Sequence, residues 1–166
     1  MSPFPLAEAH AAALYAYTEE TPLYKNLNYT MRTPHTQSTP TDTQLRFFAD
    51  YIVHLMSAQS SLPTHVSEQQ GAIYRGIRVL LNPSLYSPGK HFTWQAFSSA
   101  TKKQVATLDF VQVLPGRLLL GALFVIHSIT AKDICNFSAF PSEEEVLFPP
   151  NSQFKVVSVV TSASEK

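Results

Sequence analysis

Ser138-Ala139-Phe140-Pro141-Ser142-Glu143-Glu144-Glu145-Val146-Leu147-Phe148-Pro149-Pro150 sets three consecutive carboxylates between an aromatic turn and a short apolar run closed by two prolines. If Glu145 begins or lies in a strand, a period of two puts Glu143 and Glu145 on one side and Glu144 on the other. Two carboxylates then face one cleft. Like charges side by side cost free energy, so such a pair calls for a cationic ligand, a bound proton or a reaction. A short run of Glu is also the composition of an ordinary solvated turn, and the residues on either side decide between the two.

Outward from this stretch the pattern is that of a sheet. Phe154 to Val160, with Val156, Val157, Val159 and Val160, predicts a closing strand, and the continuous apolar run from Leu118 to Ile129 predicts a buried central strand. His91-Phe92-Thr93-Trp94-Gln95-Ala96-Phe97 alternates with Phe92, Trp94 and Ala96 on one face and runs into Ser98-Ser99-Ala100-Thr101, whose hydroxyls are common turn chemistry but can also orient a carboxylate. Ala72 to Val79 alternates too, and it places Arg75 on the same face as Ile73 and Ile77. An arginine there can snorkel from an edge or pair with an acid; Gly76 beside it would let a ligand or backbone approach closely. Lys102 to Val113 is ambiguous between helix and strand.

The first third of the chain changes period. Leu6, Ala9, Ala13, Leu14 and Tyr17 recur at helical spacing up to about Thr18; Pro22 interrupts, and Leu23, Leu27 and Met31 line up a second helix to Arg32. Thr33 to Pro40, with two prolines, predicts an exposed connection. Thr41 with Gln44 fits a capping box, and Leu45, Phe48, Ala49, Ile52, Val53 and Met56 predict a helix with a broad buried face that ends before Pro63. The expected fold is α+β: a helical lobe over 1–62 followed by a mainly antiparallel two-sheet β core over 71–160, in one domain of 166 residues.

Twelve basic and twelve acidic residues give no net charge, so no overall field draws the chain to nucleic acid or an anionic membrane. One cysteine, Cys135, excludes an internal disulfide, and its apolar setting predicts a small buried hydrophobe. The amino terminus lacks the basic start and unbroken apolar run of a signal peptide, and no apolar segment reaches a membrane span; the cytosol is the expected compartment. Six scattered histidines lack metal-ligand spacing, so no metal is expected, and five glycines form no phosphate loop.

Three elements thus stand in order: Tyr74-Arg75-Gly76, then Phe97-Ser98-Ser99-Ala100-Thr101, then Glu143-Glu144-Glu145-Val146-Leu147. Together they resemble the arginine-directed mono-ADP-ribosyltransferases, toxins and eukaryotic enzymes that share an Arg, a Ser-x-Ser/Thr element and a Glu-x-Glu pair. The resemblance covers nearly the whole chain: Tyr15 to Thr18, Tyr24 and Asn28 to Arg32 look like the family's helical leader, and Asp133 through Phe154 follow its carboxy-terminal pattern. The serine element departs from the usual wording, with Ala100 in the middle and Thr101 at the end.

The resemblance implies an enzyme of the ADP-ribosyltransferase fold that moves ADP-ribose from NAD, its co-substrate, to arginine side chains of a target protein, releasing nicotinamide. Arg75 would hold the pyrophosphate, its planar fork being suited to bidentate contact without a Gly-rich loop. Gly76, Ser99 and Thr101 would border the cofactor. Glu145 would stabilise the oxocarbenium-like transition state and bind a ribose hydroxyl, with Ser99 holding it in position. Glu143 would align the acceptor guanidinium and take its proton, and Phe140 would contact the target protein. The alternative is NAD hydrolysis with water as main acceptor. Members that label nucleic acid tend to carry Gln where Glu143 stands. The resemblance also implies a monomer, cytoplasmic, or secreted or translocated if it serves as a toxin or effector.

Overall fold

A computed structural model describes residues 6–33, 41–79, 81–105 and 121–160. The expectations for Pro34–Pro40, for the Lys102–Val113 stretch beyond Val105 and for Leu118–Leu120 lie outside these residues. The helices come first: α1 (Glu8–Thr18), α2 (Pro22–Arg32), α3 (Thr41–Phe47), α4 (Ala49–Ser61) and the single turn α5 (Ser67–Gln70). The strands follow as β1 (Ile73–Ile77), β2 (His91–Trp94), β3 (Ser98–Thr101), β4 (Ala122–Ile126), β5 (Lys132–Asp133), β6 (Glu145–Phe148) and β7 (Ser152–Lys155). They form a five-stranded sheet in the order β4-β1-β3-β6-β5 and a separate pair, β2-β7, every pairing antiparallel. The α+β expectation with two antiparallel sheets is met.

Local chemistry explains the element ends. Pro22 opens α2 at the position where a missing N–H costs nothing, with the Thr21 hydroxyl accepting the Leu23 N–H at 3.4 Å. Gly71, at φ +87°, ends α5 in a conformation that side chains resist and turns the chain into β1. The helix expected from Leu45 to Met56 is instead interrupted at Phe48, whose ψ of 1° resets the phase. That reset moves the buried stripe to Phe48, Leu55, Ala58 and Leu62, and leaves Val53 and Met56 exposed, as Ala9 is on α1.

Side chains alternate along β6 and define the layers. Leu147 packs with Phe97 and Ile134 against Leu14, Tyr17, Leu27, Leu55 and Ala58 of the helices. Val146 and Phe148 point the other way, into a second core with Ile73, Ala100 and Ile126, closed by Trp94 and Phe154 of the two-stranded sheet. Each fully buried Leu, Ile, Val or Phe among them contributes roughly 1.5–3 kcal/mol over its exposed state. β6 is therefore buried on both faces, and α4 is tied to it by the buried Gln59, whose Nε2 donates to the Leu147 carbonyl at 3.1 Å.

Three expectations are corrected here. The Leu118–Ile129 run does not give a buried central strand: β4 lies at one edge of the sheet, paired only with β1 among the described residues, and Val125 is 55% exposed, whereas the strand buried on both faces is β6. His91–Thr101 is not one strand, because the chain leaves the two-stranded sheet after Trp94 and enters the other at Ser98. The closing strand stops at Lys155, and Val157, Val159 and Val160 are exposed.

Candidate active site

Glu145 is the first residue of β6, opposite Thr101 of β3, while Ser99 stands opposite Leu147. Directly opposed residues share a face, so Ser99, Thr101 and Glu145 all look towards the helical layer. Arg75 starts from the other face, in line with Ile73. β1 pairs with β4 along its full length but with β3 only at Tyr74 and Thr101. Where that ladder stops, the Ser99 carbonyl accepts a hydrogen bond from the Arg75 guanidinium. The side chain takes the place of a strand partner and reaches the same side of the split as Ser99. Gly76 follows on β1 with its Cα facing the opposite way from Arg75.

A cavity of about 640 Å³ opens at this split, lined by Tyr17, Tyr24, Asn28 and Arg32 from the helices, by Arg75 and Ser99 from the five-stranded sheet and by Phe97 just before β3. Its size is within the usual range for a small-molecule site. Asn28 is buried; its amide donates to the Tyr17 hydroxyl at 2.9 Å, while its Oδ1 has no partner. A second hollow of about 420 Å³, between α2 and α3, is lined by Asn26, Tyr29, Thr30, Gln44, Phe47 and Phe48, none of them charged, and is unsuited to a pyrophosphate.

Glu145 is 8% exposed, and burial pushes its carboxyl up from 4.5 to about 7. A hydrogen bond from Ser99 works against that rise, the charge of Glu143 adds to it, and Ser138 and Arg75 oppose it. The Ser138 hydroxyl donates to Glu145 Oε2 at 3.4 Å and accepts the Phe140 N–H at 3.0 Å. Burial lowers the Arg75 pKa, but a guanidinium stays charged near neutrality. A fixed cation that lines the cavity thus acts on a carboxyl poised to gain or lose a proton.

Glu143 closes the 3₁₀ turn Pro141–Glu143 rather than extending β6, so the strand-period argument does not apply to it. Its charge nonetheless acts on Glu145. The turn is pinned from β3: Thr101 Oγ1 donates to the Glu143 carbonyl at 2.5 Å, and Lys103 Nζ reaches the Ser142 carbonyl at 2.7 Å and Glu144 Oε1 at 3.2 Å. Glu144, at φ 49°, turns away into that surface ion pair. Phe140 is 40% exposed at the start of the turn. Cys135 is only half-buried, and its thiol is raised to about 11 by burial and by Asp133, which leaves it a poor nucleophile.

Arg75 and Ser99 therefore line one cavity, Glu145 stands beside them within reach of a Ser99 hydrogen bond and of the Arg75 charge, and Thr101 of β3 ties down the turn that carries Glu143 and Phe140. Sequence reasoning missed Ser138, Thr18, Lys103, Asn28 and Trp94. Thr18 and Lys103 act on residues far along the chain, and no local pattern marks such pairings. Among the described residues, no group of three or more His, Cys, Asp or Glu could hold a metal ion, and no helix is long and apolar enough to cross a membrane.

The family model for NAD:arginine ADP-ribosyltransferases matches residues 1–166. The GPI-linked NAD(P)(+)–arginine ADP-ribosyltransferase 1 of Mus musculus is 31% identical over 159 residues, which cover 94% of this chain and 45% of that protein. The chain thus spans about half the length of the curated relatives it matches. Among solved structures, the ADP-ribosyltransferase Vis in complex with agmatine superposes with a TM-score of 0.72 at 22% identity, over 98% of this chain and 72% of that one; Vis is a toxin of Vibrio splendidus. A mutant of the eucaryotic mono-ADP-ribosyltransferase ART2.2 in complex with NADH gives a TM-score of 0.67 at 21% identity, over 93% of this chain and 62% of that one.

Proposed function

The chain belongs to the NAD:arginine ADP-ribosyltransferase family, and on that premise we propose that it is a single catalytic domain transferring ADP-ribose from NAD to an arginine of a target protein. The observation that supports this most is that Arg75 and Ser99, from two strands, line one cavity, while Glu145 of a third strand takes a hydrogen bond from Ser99 and feels the charges of Arg75 and Glu143. The agmatine complex of Vis and the NADH complex of ART2.2 agree with an arginine-like acceptor and a nicotinamide dinucleotide.

In this mechanism Arg75 grips the pyrophosphate, Ser99 contacts the nicotinamide ribose and steadies Glu145, and Gly76 and Thr101 border the dinucleotide. The bond between C1′ and the nicotinamide nitrogen breaks, its electron pair leaving with nicotinamide. The ionised Glu145 stabilises the positive charge left on the ribose. An acceptor guanidinium, held by Glu143, gives that carboxylate a proton, and its nitrogen forms the new bond to C1′. Phe140 meets the target protein beside the incoming arginine. Transfer is favoured over hydrolysis in this reading because Glu143 supplies the acceptor base.

Incubation with NAD and agmatine, with nicotinamide release and ADP-ribosyl-agmatine followed by mass spectrometry, tests the proposal. Product is expected from the wild-type chain and at least a hundredfold less from Glu145→Gln. Equal product from both would refute it.

A further inference from the structure

Arg75 also meets an indole that does not line the cavity. Trp94, the only tryptophan in the chain, ends β2, and the Arg75 guanidinium carbon lies 5.2 Å from its ring centroid. This is within cation–π range. The indole is itself fixed by rings: Phe154 at 4.4 Å, and Phe124 and Phe148 edge-on, each at 5.6 Å. Trp94 belongs to the two-stranded sheet and the Ser99 carbonyl to the five-stranded one, so the guanidinium bridges the two sheets.

Neither contact neutralises the guanidinium. The carbonyl and the indole set its position while its charge stays available to the cavity. An arginine free to sample its rotamers loses that freedom when it binds a ligand, whereas one held in place has lost it already. Trp94 lines no part of the cavity, so its effect on a ligand runs through Arg75.

We propose that Trp94 is a positioning residue that holds Arg75 in its ligand-binding pose, and that its emission reports occupancy of the cavity. This rests on the proposed binding of NAD. Trp94→Leu removes the ring face, Trp94→Phe keeps one, and Phe154→Leu disturbs the same aromatic cluster on a side chain that does not meet Arg75.

The test is calorimetric titration of NAD into the wild-type chain and these three variants, with thermal melting of each and tryptophan emission of the wild type on titration. Expected are an emission change that saturates with the calorimetric isotherm, Kd raised about tenfold in Trp94→Leu, and Kd within about threefold of wild type in Trp94→Phe. Phe154→Leu should melt earlier yet weaken NAD binding less than Trp94→Leu does. The proposal is overturned if Trp94→Leu binds as tightly as wild type, if both Trp94 variants weaken equally, if Phe154→Leu weakens binding as much as Trp94→Leu, or if emission ignores NAD. A wild-type chain that binds no NAD overturns the NAD assignment itself, and this inference with it.

Discussion

Thr18, the last residue of α1, accepts the backbone N–H of Ala139 at 2.8 Å across 121 residues of sequence. Thr18 also donates to the Tyr15 carbonyl at 2.9 Å, so its hydroxyl is oriented by its own helix. The next links are Ser138 to Glu145 and Phe140 to Ser138. The helical layer, the turn carrying Phe140 and the buried acid are thus one hydrogen-bonded unit. Thr18→Val keeps the shape and removes the acceptor, at a cost of about 1 kcal/mol for the N–H left unpaired. A melting temperature lower by about 2–4 °C is expected. Agmatine modification should fall about fivefold and NAD hydrolysis less than twofold if the turn meets the acceptor as proposed.

Because burial pushes Glu145 up to about 7, and only its ionised form stabilises a cationic ribose, kcat/KM for NAD should rise with pH through about 7 and level off above it. Ser138 and Ser99 favour the ionised form by hydrogen bonding. Ser138→Ala should therefore move this limb to higher pH, and a pH–rate profile that stays where the wild type's lies would show that the 3.4 Å contact does not act on the carboxyl.

The same shift has a cost in stability. With a folded-state value of about 7 against 4.5 for the free group, the native state binds more protons between these limits, so stability is highest below 4.5 and falls as pH rises through 7. A shift of this size costs about 3 kcal/mol at pH 8. Glu145→Gln, uncharged at every pH, should melt higher than wild type at pH 8, and the difference should disappear by about pH 4. Equal melting curves at pH 8 would mean that the carboxyl is far better solvated than its burial implies.

How legible all this was in the sequence varied with the range of the interactions involved. Helices α1 and α2 follow from apolar spacing and from Pro22, which is local chemistry. The break at Phe48 does not, because the periodicity from Leu45 to Met56 reads as unbroken and the phase is reset by packing. Leu118–Ile129 looked central because it is apolar, but its strand β4 is an edge and the strand buried on both faces is β6, which begins with a carboxylate. Arg75, Ser99 and Glu145 were legible as ordered motifs. Their supports were not: Trp94 was placed only in an apolar stripe, and Ser138 is one hydroxyl in a turn rich in them.

Glu143 gives the sharpest test of acceptor chemistry, because its backbone and side chain are separable. Its N–H donates to the Phe140 carbonyl at 3.0 Å and its own carbonyl accepts from Thr101, while its side chain is exposed. Glu143→Gln should leave the turn in place and remove only the charge and the base. Loss of a base that takes the acceptor's proton costs roughly 10²–10⁴ in rate, so modification of agmatine should fall by at least a hundredfold. Cleavage of NAD by water needs no such base, and it should stay within about threefold. Its acidic limb should also shift to lower pH, since the charge that helps raise Glu145 is gone. Nicotinamide release and agmatine modification measured in the same reaction separate the outcomes: if both fall together, Glu143 acts on NAD cleavage itself and not on the acceptor.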